Sequence, residues 1–299
     1  MKYHFILFLK GMAMGIANVI PGVSGGTIAL ITEIYEELIC SLKSFDKQAL
    51  KLILNFDLRK FIKYTNLYFL GAVFIGSIFS VFTIASLFEY LFESYPVLIW
   101  AFFFGLIVAS VIFVGKRVQE WNIQSIITFV LGISIAFSLT FINPASENSN
   151  LFFVFICGIV GVSGMMLPGL SGSYILILLG NYKLLMVTAV TELNITLLGV
   201  FFIGSIFGLM SFSHLLSWVL KNHKDKTLAL LTGFILGSLK VVWPWKEISE
   251  SIIINREEII LSYENFIPSE INQHNLIAIL LMIIGFLIVY ILENSTNKT

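Results

Sequence analysis

Apolar segments follow one another along the chain, with only short polar stretches between them. They lie at about 5–20, 24–41, 67–92, 96–115, 123–142, 150–167, 172–190, 193–220, 226–245 and 275–292. A helix needs roughly 20 consecutive apolar residues to cross a bilayer. In lipid the backbone must satisfy its own hydrogen bonds, and segments of this length do so as helices. The pattern therefore predicts an all-α integral membrane protein.

Two breaks of the form Pro-Gly-x-Ser-Gly interrupt this pattern. The first break begins at Pro21 and the second begins at Pro168. The apolar arms beside each break are about 16–19 residues long, which is at or below the length that spans a membrane. We therefore predict two re-entrant hairpins of broken helices, at about 5–41 and about 150–190.

The sequence around the first break recurs around the second. A shift of 147 residues places identical residues on one another, among them Gly11 on Gly158, Pro21 on Pro168, Ser24 on Ser171 and Tyr35 on Tyr182. A shift of 128 residues places Ile75–Phe79 on the identical Ile203–Phe207. Two colinear blocks of this kind indicate an internal duplication. We predict a first repeat at 1–142 and a second at 150–299.

Each repeat also carries three long apolar segments after its hairpin. The predicted membrane helices lie at about 67–92, 96–115 and 123–142 in the first repeat and at about 193–220, 226–245 and 275–292 in the second. The first repeat alone has an amphipathic, lysine-rich stretch at about 42–66, which predicts an interfacial helix. An odd number of crossings separates the copies whether or not the hairpins span, so the repeats are predicted to be inverted. Inverted repeats with broken helices are typical of transporters.

Composition and charge narrow the class further. Apolar residues make up 58% of the chain and charged residues 12%, whereas about a quarter of a soluble domain is charged. The 18 basic and 18 acidic residues cancel, which argues against a nucleic-acid partner. Neither Cys40 and Cys157 nor the four histidines have metal-ligand spacing.

Fourteen basic residues fall on one side of the predicted topology and three on the other. The positive-inside rule then places both termini in the cytoplasm and the acidic stretch 246–274 outside as a loop.

The breaks are predicted to form an anion site. Backbone N–H groups at the start of a helix are free and carry a partial positive charge, which suits a phosphate. The predicted binding residues are Asn18, Pro21, Gly22, Ser24, Gly25, Gly26 and Thr27 at the first break and Pro168, Gly169, Ser171, Gly172, Ser173 and Tyr174 at the second. The alternative is that these small residues only allow tight helix packing. No metal or organic cofactor is predicted.

Segments 11–38 and 166–174 resemble the two signature segments of the bacterial polyprenyl-phosphate transporter family, the PopT-type undecaprenyl-phosphate translocases. The resemblance covers essentially the whole chain. It implies an inner-membrane protein, not an enzyme, that returns undecaprenyl phosphate from the outer to the cytoplasmic leaflet for cell-wall biogenesis. The membrane lipid is then its partner, and a homodimer is an open expectation.

Glu33 is the candidate for coupling such transport to an ion. A carboxylate at membrane depth costs roughly 2.5–3.5 kcal/mol on insertion scales, so it usually has a task. Moving an anion inwards against an inside-negative potential costs about 2.3 kcal/mol per charge per 100 mV. We therefore predict either coupling to H⁺ or Na⁺, with Glu33 as the carrier, or a pull from consumption of the lipid in the cytoplasm.

Two other functions fit parts of the sequence. A small-anion channel or transporter would use the same paired helix starts. An intramembrane serine hydrolase would use the motif around Ser24, with His214 as its base. The motif recurs around Ser171, which catalysis does not require, and the strand that precedes a nucleophile elbow is missing from the pattern.

Overall fold

The computed structural model describes residues 2–19, 24–142, 144–254, 257–269 and 272–296. Most of them are helical. The helices up to the second break are α1 Lys2–Val19, α2 Gly25–Ile31, α3 Tyr35–Lys43, α4 Lys47–Leu54, α5 Leu58–Tyr64, α6 Leu67–Ser94, α7 Pro96–Lys116, α8 Ile123–Leu139 and α9 Leu151–Met166. After it come α10 Gly172–Leu178, a π-helical turn Lys183–Thr188, α11 Ala189–Thr191, α12 Ile195–Asn222, α13 Lys224–Gly237, a 3-10 turn Ser238–Lys240 and α14 Gln273–Thr296.

Several of these helices are long and apolar enough to cross a membrane. Within the described residues, α7, α12 and the part Gln273–Ile291 of α14 each suffice alone. A fourth span results if α5 and the part Leu67–Thr83 of α6 count as one, although the two are bent by 68°. The predicted helix at 226–245 is shorter than expected, since α13 ends at Gly237. A mostly helical membrane protein is confirmed, while the six separate crossings stay a prediction.

The core of the protein surrounds α2. All seven residues of α2 are buried, and most of α13 is buried as well. Large apolar side chains are exposed along α6, α8, α12 and α14. An apolar surface of this extent suits contact with lipid rather than water. The short helix α2 is thus enclosed by long helices whose outer faces are apolar.

Helices lie closest together where glycine removes a side chain. A Cβ added at Gly11 of α1 would lie 2.2 Å from the carbonyl oxygen of Val73 in α6. One added at Gly158 of α9 would lie 2.4 Å from the carbonyl oxygen of Phe201 in α12. No side chain fits at such distances, so the backbones of α1 and α6, and of α9 and α12, are in direct contact. Gly158 lies 147 positions after Gly11, and Phe201 lies 128 positions after Val73, so the two contacts join equivalent residues of the two copies.

The arm after each break is predicted to be continuous, but in the structure it stops after seven residues. The backbone is left-handed at Glu33 after α2 (φ 62°) and at Gly180 after α10 (φ 75°). In each copy the following amide bonds to the carbonyl five residues earlier at 3.0 Å, which is a Schellman helix end. Gly180 signals this end in the sequence, whereas Glu33 does not, because few residues other than glycine adopt positive φ.

Two segments differ from the predicted all-α arrangement. The predicted loop at 246–274 contains an antiparallel hairpin of β1 Lys246–Ile254 and β2 Glu257–Asn265. Isoleucines in both strands favour β structure, a signal that the acidic composition of the stretch obscures. The predicted interfacial helix at about 42–66 is two short helices, α4 and α5, because the chain turns at Phe56 with a φ of 55°.

Candidate functional site

The start of α2 lies against the second break. Ser24 is the N-cap of α2, and its Oγ accepts a hydrogen bond from the Gly26 N–H at 3.1 Å. The same hydroxyl faces the carbonyl oxygens of Met165 at 3.3 Å and Leu167 at 3.1 Å, to which it donates. Ser24 is only 1% exposed. Residues of the two breaks are therefore in direct, buried contact.

Two further hydrogen bonds join the same elements. Thr27 Oγ1 accepts from the Gly169 N–H at 2.9 Å. The hydroxyl of Tyr35, at the start of α3, donates to the carbonyl oxygen of Met166 at 2.9 Å. Thr27 and Tyr35 are each 2% exposed, so water does not compete for these bonds. Tyr35 is absent from the predicted site residues, and only its match to Tyr182 in the duplication sets it apart in the sequence.

Gly169 shapes the second break. Its φ is 81°, and an added Cβ would lie 2.6 Å from the carbonyl oxygen of Phe234 in α13. Both the conformation and the close contact exclude a side chain at this position. Pro168 before it is buried too. Irregular backbone at membrane depth must be enclosed by protein or line a cavity, and here protein encloses it.

The amides at the start of α2, which are predicted to bind an anion, already have protein acceptors. The Gly25 N–H donates to Asn18 Oδ1 at 2.8 Å, and the Gly26 N–H donates to Ser24. The Thr27 N–H bonds to the carbonyl oxygen of Ser24 at 2.9 Å. In this structure these three amides at the start of α2 are therefore occupied by acceptors of the protein itself. An anion reaches these donors only if Asn18 or the second break moves away.

The start of α10 has fewer side-chain partners. Ser171 Oγ and Ser173 Oγ lie 2.7 Å apart and share one hydrogen bond, in which either hydroxyl can donate. The Tyr174 hydroxyl donates to the carbonyl oxygen of Leu139 at the end of α8, at 3.0 Å. Among the described residues, no side chain caps α10 or accepts from the Gly172 N–H. The second helix start thus has donors that its own side chains leave free.

The remaining predicted residues fall elsewhere. Pro21 and Gly22 lie outside the described residues. Glu33 is not part of the contact at Ser24, since it follows the other end of α2. Its Oε1 lies 3.0 Å from Arg117 Nη2, and its side chain is 40% exposed. At about 1.5 Å per residue, the seven residues of α2 place Glu33 about 10 Å or more from Ser24.

Two cations hold the C-terminal end of α2. Arg117 Nη1 donates to the carbonyl oxygen of Leu30 at 2.9 Å, and Lys10 Nζ donates to that of Thr32 at 2.6 Å. Carbonyls at a helix end lack partners within the helix and carry a partial negative charge, so cations stabilise them. Hydroxyl groups therefore anchor α2 at its start and cations anchor it at its end.

Two lysines elsewhere lie against aromatic rings. Lys240 Nζ is 3.6 Å from the ring centroid of Phe141, and Lys246 Nζ is 4.0 Å from the ring centroid of Trp100. Contacts of this kind replace part of the water around an ammonium group. Burial nevertheless lowers the pKa of Lys246, which lies outside the predicted membrane segments, to about 8.

The described part of the site lacks the pairing of a serine with a base that a serine hydrolase needs. Among the described residues, no group of three His, Cys, Asp or Glu side chains could hold a metal ion. Nδ1 of His214 lies 2.7 Å from the carbonyl oxygen of Met210 in its own helix, and no described histidine bonds to Ser24. The Ser24 hydroxyl donates to backbone carbonyls instead of to a base, which leaves it without activation as a nucleophile.

The long apolar helices place this protein among the helical membrane proteins. Residues 14–260 match the family described as VCA0040-like, undecaprenyl phosphate translocase-like. The chain belongs to this family, which confirms the resemblance of its two signature segments.

Two relatives extend over most of the chain. One is the polyprenyl-phosphate transporter of Vibrio cholerae serotype O1, which is 37% identical over 298 residues, covering 97% of this chain and 96% of that protein. The other is the polyprenyl-phosphate transporter of Staphylococcus aureus, which is 31% identical over 261 residues, covering 81% and 87%. Both names describe transporters rather than enzymes. No solved structure matches the chain.

Proposed function

We propose that the protein moves undecaprenyl phosphate from the outer to the cytoplasmic leaflet of a bacterial inner membrane, with both of its termini in the cytoplasm. The relatives named polyprenyl-phosphate transporters support the substrate class. A polyprenyl chain can remain in the lipid while only the phosphate crosses. A cleft that opens sideways to the membrane, between two inverted repeats, is therefore sufficient.

The observation that carries this proposal is the buried polar contact between α2 and the second break. Ser24, Thr27 and Gly169 bond to one another's segments there instead of to water. A phosphate oxygen accepts hydrogen bonds from hydroxyl and amide groups more strongly than a neutral carbonyl does. A phosphate that enters between the breaks would take over the donors of Ser24, Thr27 and Gly169 as the two segments part. Ser171, Gly172 and Ser173 would bind it from the start of α10.

Recurring geometry supports the internal duplication on which the proposed inverted arrangement rests. The contact of Gly11 with Val73 recurs as that of Gly158 with Phe201. The left-handed residues Glu33 and Gly180 are also separated by the same 147 positions. In transporters built this way, one repeat tilts against the other around a fixed site.

Flipping by the full-length protein in proteoliposomes tests the proposal. The readout is the fraction of undecaprenyl phosphate that an impermeant lipid-phosphate-binding lipopeptide reaches on the outer surface over time. Thr27→Val keeps the shape of the side chain but removes a hydroxyl that would bind the phosphate. A hydrogen bond to a charged group contributes about 1.5–3 kcal/mol, so flipping should slow roughly 10- to 100-fold.

Matched variants complete this experiment. Thr27→Ser keeps the hydroxyl and should flip within a few-fold of the unmodified protein. Ser211→Ala removes an exposed hydroxyl that bonds only within α12 and should have no effect. Full activity of Thr27→Val would show that this contact is not the phosphate site. Uptake of inorganic phosphate or chloride without lipid flipping would identify a small-anion transporter instead.

Coupling through Glu33 is part of the same proposal. Its carboxylate pairs with Arg117 in the structure, so a proton or Na⁺ has to displace the guanidinium before Glu33 can carry it. Flipping by the unmodified protein should respond to an imposed pH or Na⁺ gradient, and flipping by Glu33→Gln should not. If neither gradient alters flipping by the unmodified protein, consumption of the lipid is the driving force.

A further inference from the structure

A charged cleft lies at the end of α2 that is remote from Ser24. It has a volume of about 720 Å³ and is bounded by the turn after α2, the start of α3, the end of α7 and the first turns of α13. Its charged lining residues are Glu33, Glu36, Glu37, Lys116, Arg117 and Lys224. The cleft is large enough for a lipid headgroup. Cations from two long helices converge on it with carboxylates from the turn and α3.

Arg117 is held in this cleft by backbone as well as by Glu33. Its Nη1 donates to the carbonyl oxygen of Leu30 at 2.9 Å, while Nη2 contacts Glu33 Oε1 at 3.0 Å. The bond to Leu30 keeps the guanidinium in place whether or not the carboxylate is present. A planar guanidinium binds phosphate in two-pronged geometry. The Glu33 carboxylate therefore occupies a position on Arg117 that a phosphate oxygen can take.

The backbone at Glu33 is left-handed, as it is at the equivalent position of the second copy. Glu33 has a φ of 62°, and the duplication places it on Gly180, whose φ is 75°. A residue other than glycine is strained in this conformation. The strained position carries a carboxylate although glycine serves the same turn in the other copy. This carboxylate pairs with Arg117.

The other charges of the cleft can rearrange around an incoming anion. Lys224 pairs with Glu36 at 2.6 Å, but both side chains are more than half exposed, and such surface pairs contribute little. Lys116 lies over the ring of Phe113 at 5.0 Å. Glu37 accepts a hydrogen bond from Asn66 and so has a partner away from the cations. Glu33 is a carboxylate that an incoming phosphate would displace from Arg117.

We infer that the charged cleft is a second binding site, for a phosphate monoester headgroup, in which Arg117 exchanges Glu33 for the phosphate. This inference rests on the proposed function and places the two sites about one length of α2 apart. A headgroup released from the contact at Ser24 would be received in the cleft, at the end that the distribution of lysines places in the cytoplasm. Lys224 and Lys116 would complete its neutralisation.

Calorimetric titration of the full-length protein in detergent micelles with farnesyl monophosphate tests this site. Arg117→Gln should bind at least 10-fold more weakly than the unmodified protein. Glu33→Gln should bind about 3- to 10-fold more tightly, because the competing carboxylate is gone while the amide keeps its size. Lys47→Gln removes an exposed cation at the start of α4, outside the cleft, and should leave the affinity unchanged.

The sign of the Glu33→Gln effect decides between a binding site and a structural ion pair. If the ion pair only stabilises the fold, Glu33→Gln binds no more tightly than the unmodified protein, and the inference is wrong. This arm does not depend on Arg117→Gln, which can lose its melting transition because Arg117 also caps α2. In that case Arg117→Lys, which keeps the charge but not the fork, should weaken binding by several-fold.

Two additional probes identify the occupant, and flipping separates this inference from the proposed function. Farnesol and inorganic phosphate should each bind at least 10-fold more weakly than farnesyl monophosphate. Equal affinity for inorganic phosphate would mean that the cleft takes the free anion and not a lipid. If the unmodified protein fails to flip lipid, the proposed function falls. If it flips but Glu33→Gln binding is unchanged, only the second site falls.

Discussion

Replacing Gly76 with alanine should weaken the contact between α1 and α6. A Cβ added at Gly76 would lie 2.1 Å from the carbonyl oxygen of Phe8, and interiors are too densely packed to relieve such an overlap without movement. The two backbones would have to part by roughly 1 Å to reach even the shortest ordinary contact of about 3 Å. Gly71 lies on the same helix and has no atom within 4 Å of its Cβ position. Gly71→Ala is therefore the matched control.

The expected magnitude follows from two opposing effects. An extra methyl group in a packed core costs about 1–3 kcal/mol, while alanine in place of glycine inside a helix gains up to about 1 kcal/mol. Both variants gain this helix contribution, so they should differ in stability by the cost of the overlap alone, about 1–3 kcal/mol. At about 2–4 °C per kcal/mol for chains of comparable size, their melting temperatures should differ by roughly 2–12 °C.

The second copy supplies an independent pair of variants. The shift of 128 residues places Gly76 on Gly204 and Gly71 on Gly199. A Cβ at Gly204 would lie 2.3 Å from the carbonyl oxygen of Phe155, whereas Gly199 has open space. Melting in detergent, followed by tryptophan fluorescence, should give the same order in both copies. A Gly76→Ala protein as stable as Gly71→Ala would refute the close contact between α1 and α6. If the order of stabilities appeared in only one copy, the equivalence of the two copies would be refuted.

Two further substitutions test buried polar groups. Tyr35→Phe leaves the carbonyl oxygen of Met166 without its donor and should lower the stability by about 1 kcal/mol, or the melting temperature by roughly 2–4 °C. Tyr182→Phe changes the exposed equivalent position of the second copy and should leave the stability unchanged. Equal effects of the two variants would contradict the role of the Tyr35 hydrogen bond. Lys246→Met removes an ammonium whose pKa is lowered to about 8 by burial. Because the unfolded chain binds more protons between about pH 8 and 10.5, Lys246 destabilises the fold most at neutral pH and less as the pH rises. The stability that Lys246→Met gains in thermal melts should therefore shrink by about 1–2 kcal/mol from pH 7.5 to 9.5, and a pH-independent gain would contradict burial of the charge.

The parts of the site that follow from residue chemistry could be predicted from the sequence. Ser24 and Thr27 stand at the first positions of a helix after a proline, where hydroxyl side chains cap and donate. Gly169 follows a proline at a break and needs a conformation that only glycine adopts readily. These residue types restrict the backbone so strongly that their positions point to the breaks without a structure.

The parts that depend on backbone partners could not be predicted. The carbonyl oxygens that accept from Ser24 and Tyr35 belong to Leu167 and Met166, and every residue offers the same acceptor, so no residue type marks them. Arg117 is 84 positions from Glu33, and nothing in its local sequence indicates a partner in the hairpin. The left-handed turn at Glu33 is equally hidden because glutamate is unusual there.

The contacts at its two ends determine the position of α2, and this explains how so short a helix can serve a transporter. A helix of seven residues forms too few internal bonds to be stable alone. At its start, Ser24 and Thr27 form hydrogen bonds with residues at the second break. At its end, Lys10 and Arg117 donate hydrogen bonds to its last carbonyl oxygens. A phosphate at the start would replace the first set of bonds, and a phosphate in the charged cleft would replace Glu33 on Arg117. Each exchange replaces existing hydrogen bonds with bonds to a phosphate, so a ligand can shift the populations of the arrangements of α2 with and without it. Changes at either end of α2 should therefore alter transport more than equally sized changes on the lipid-facing sides of α6 or α12.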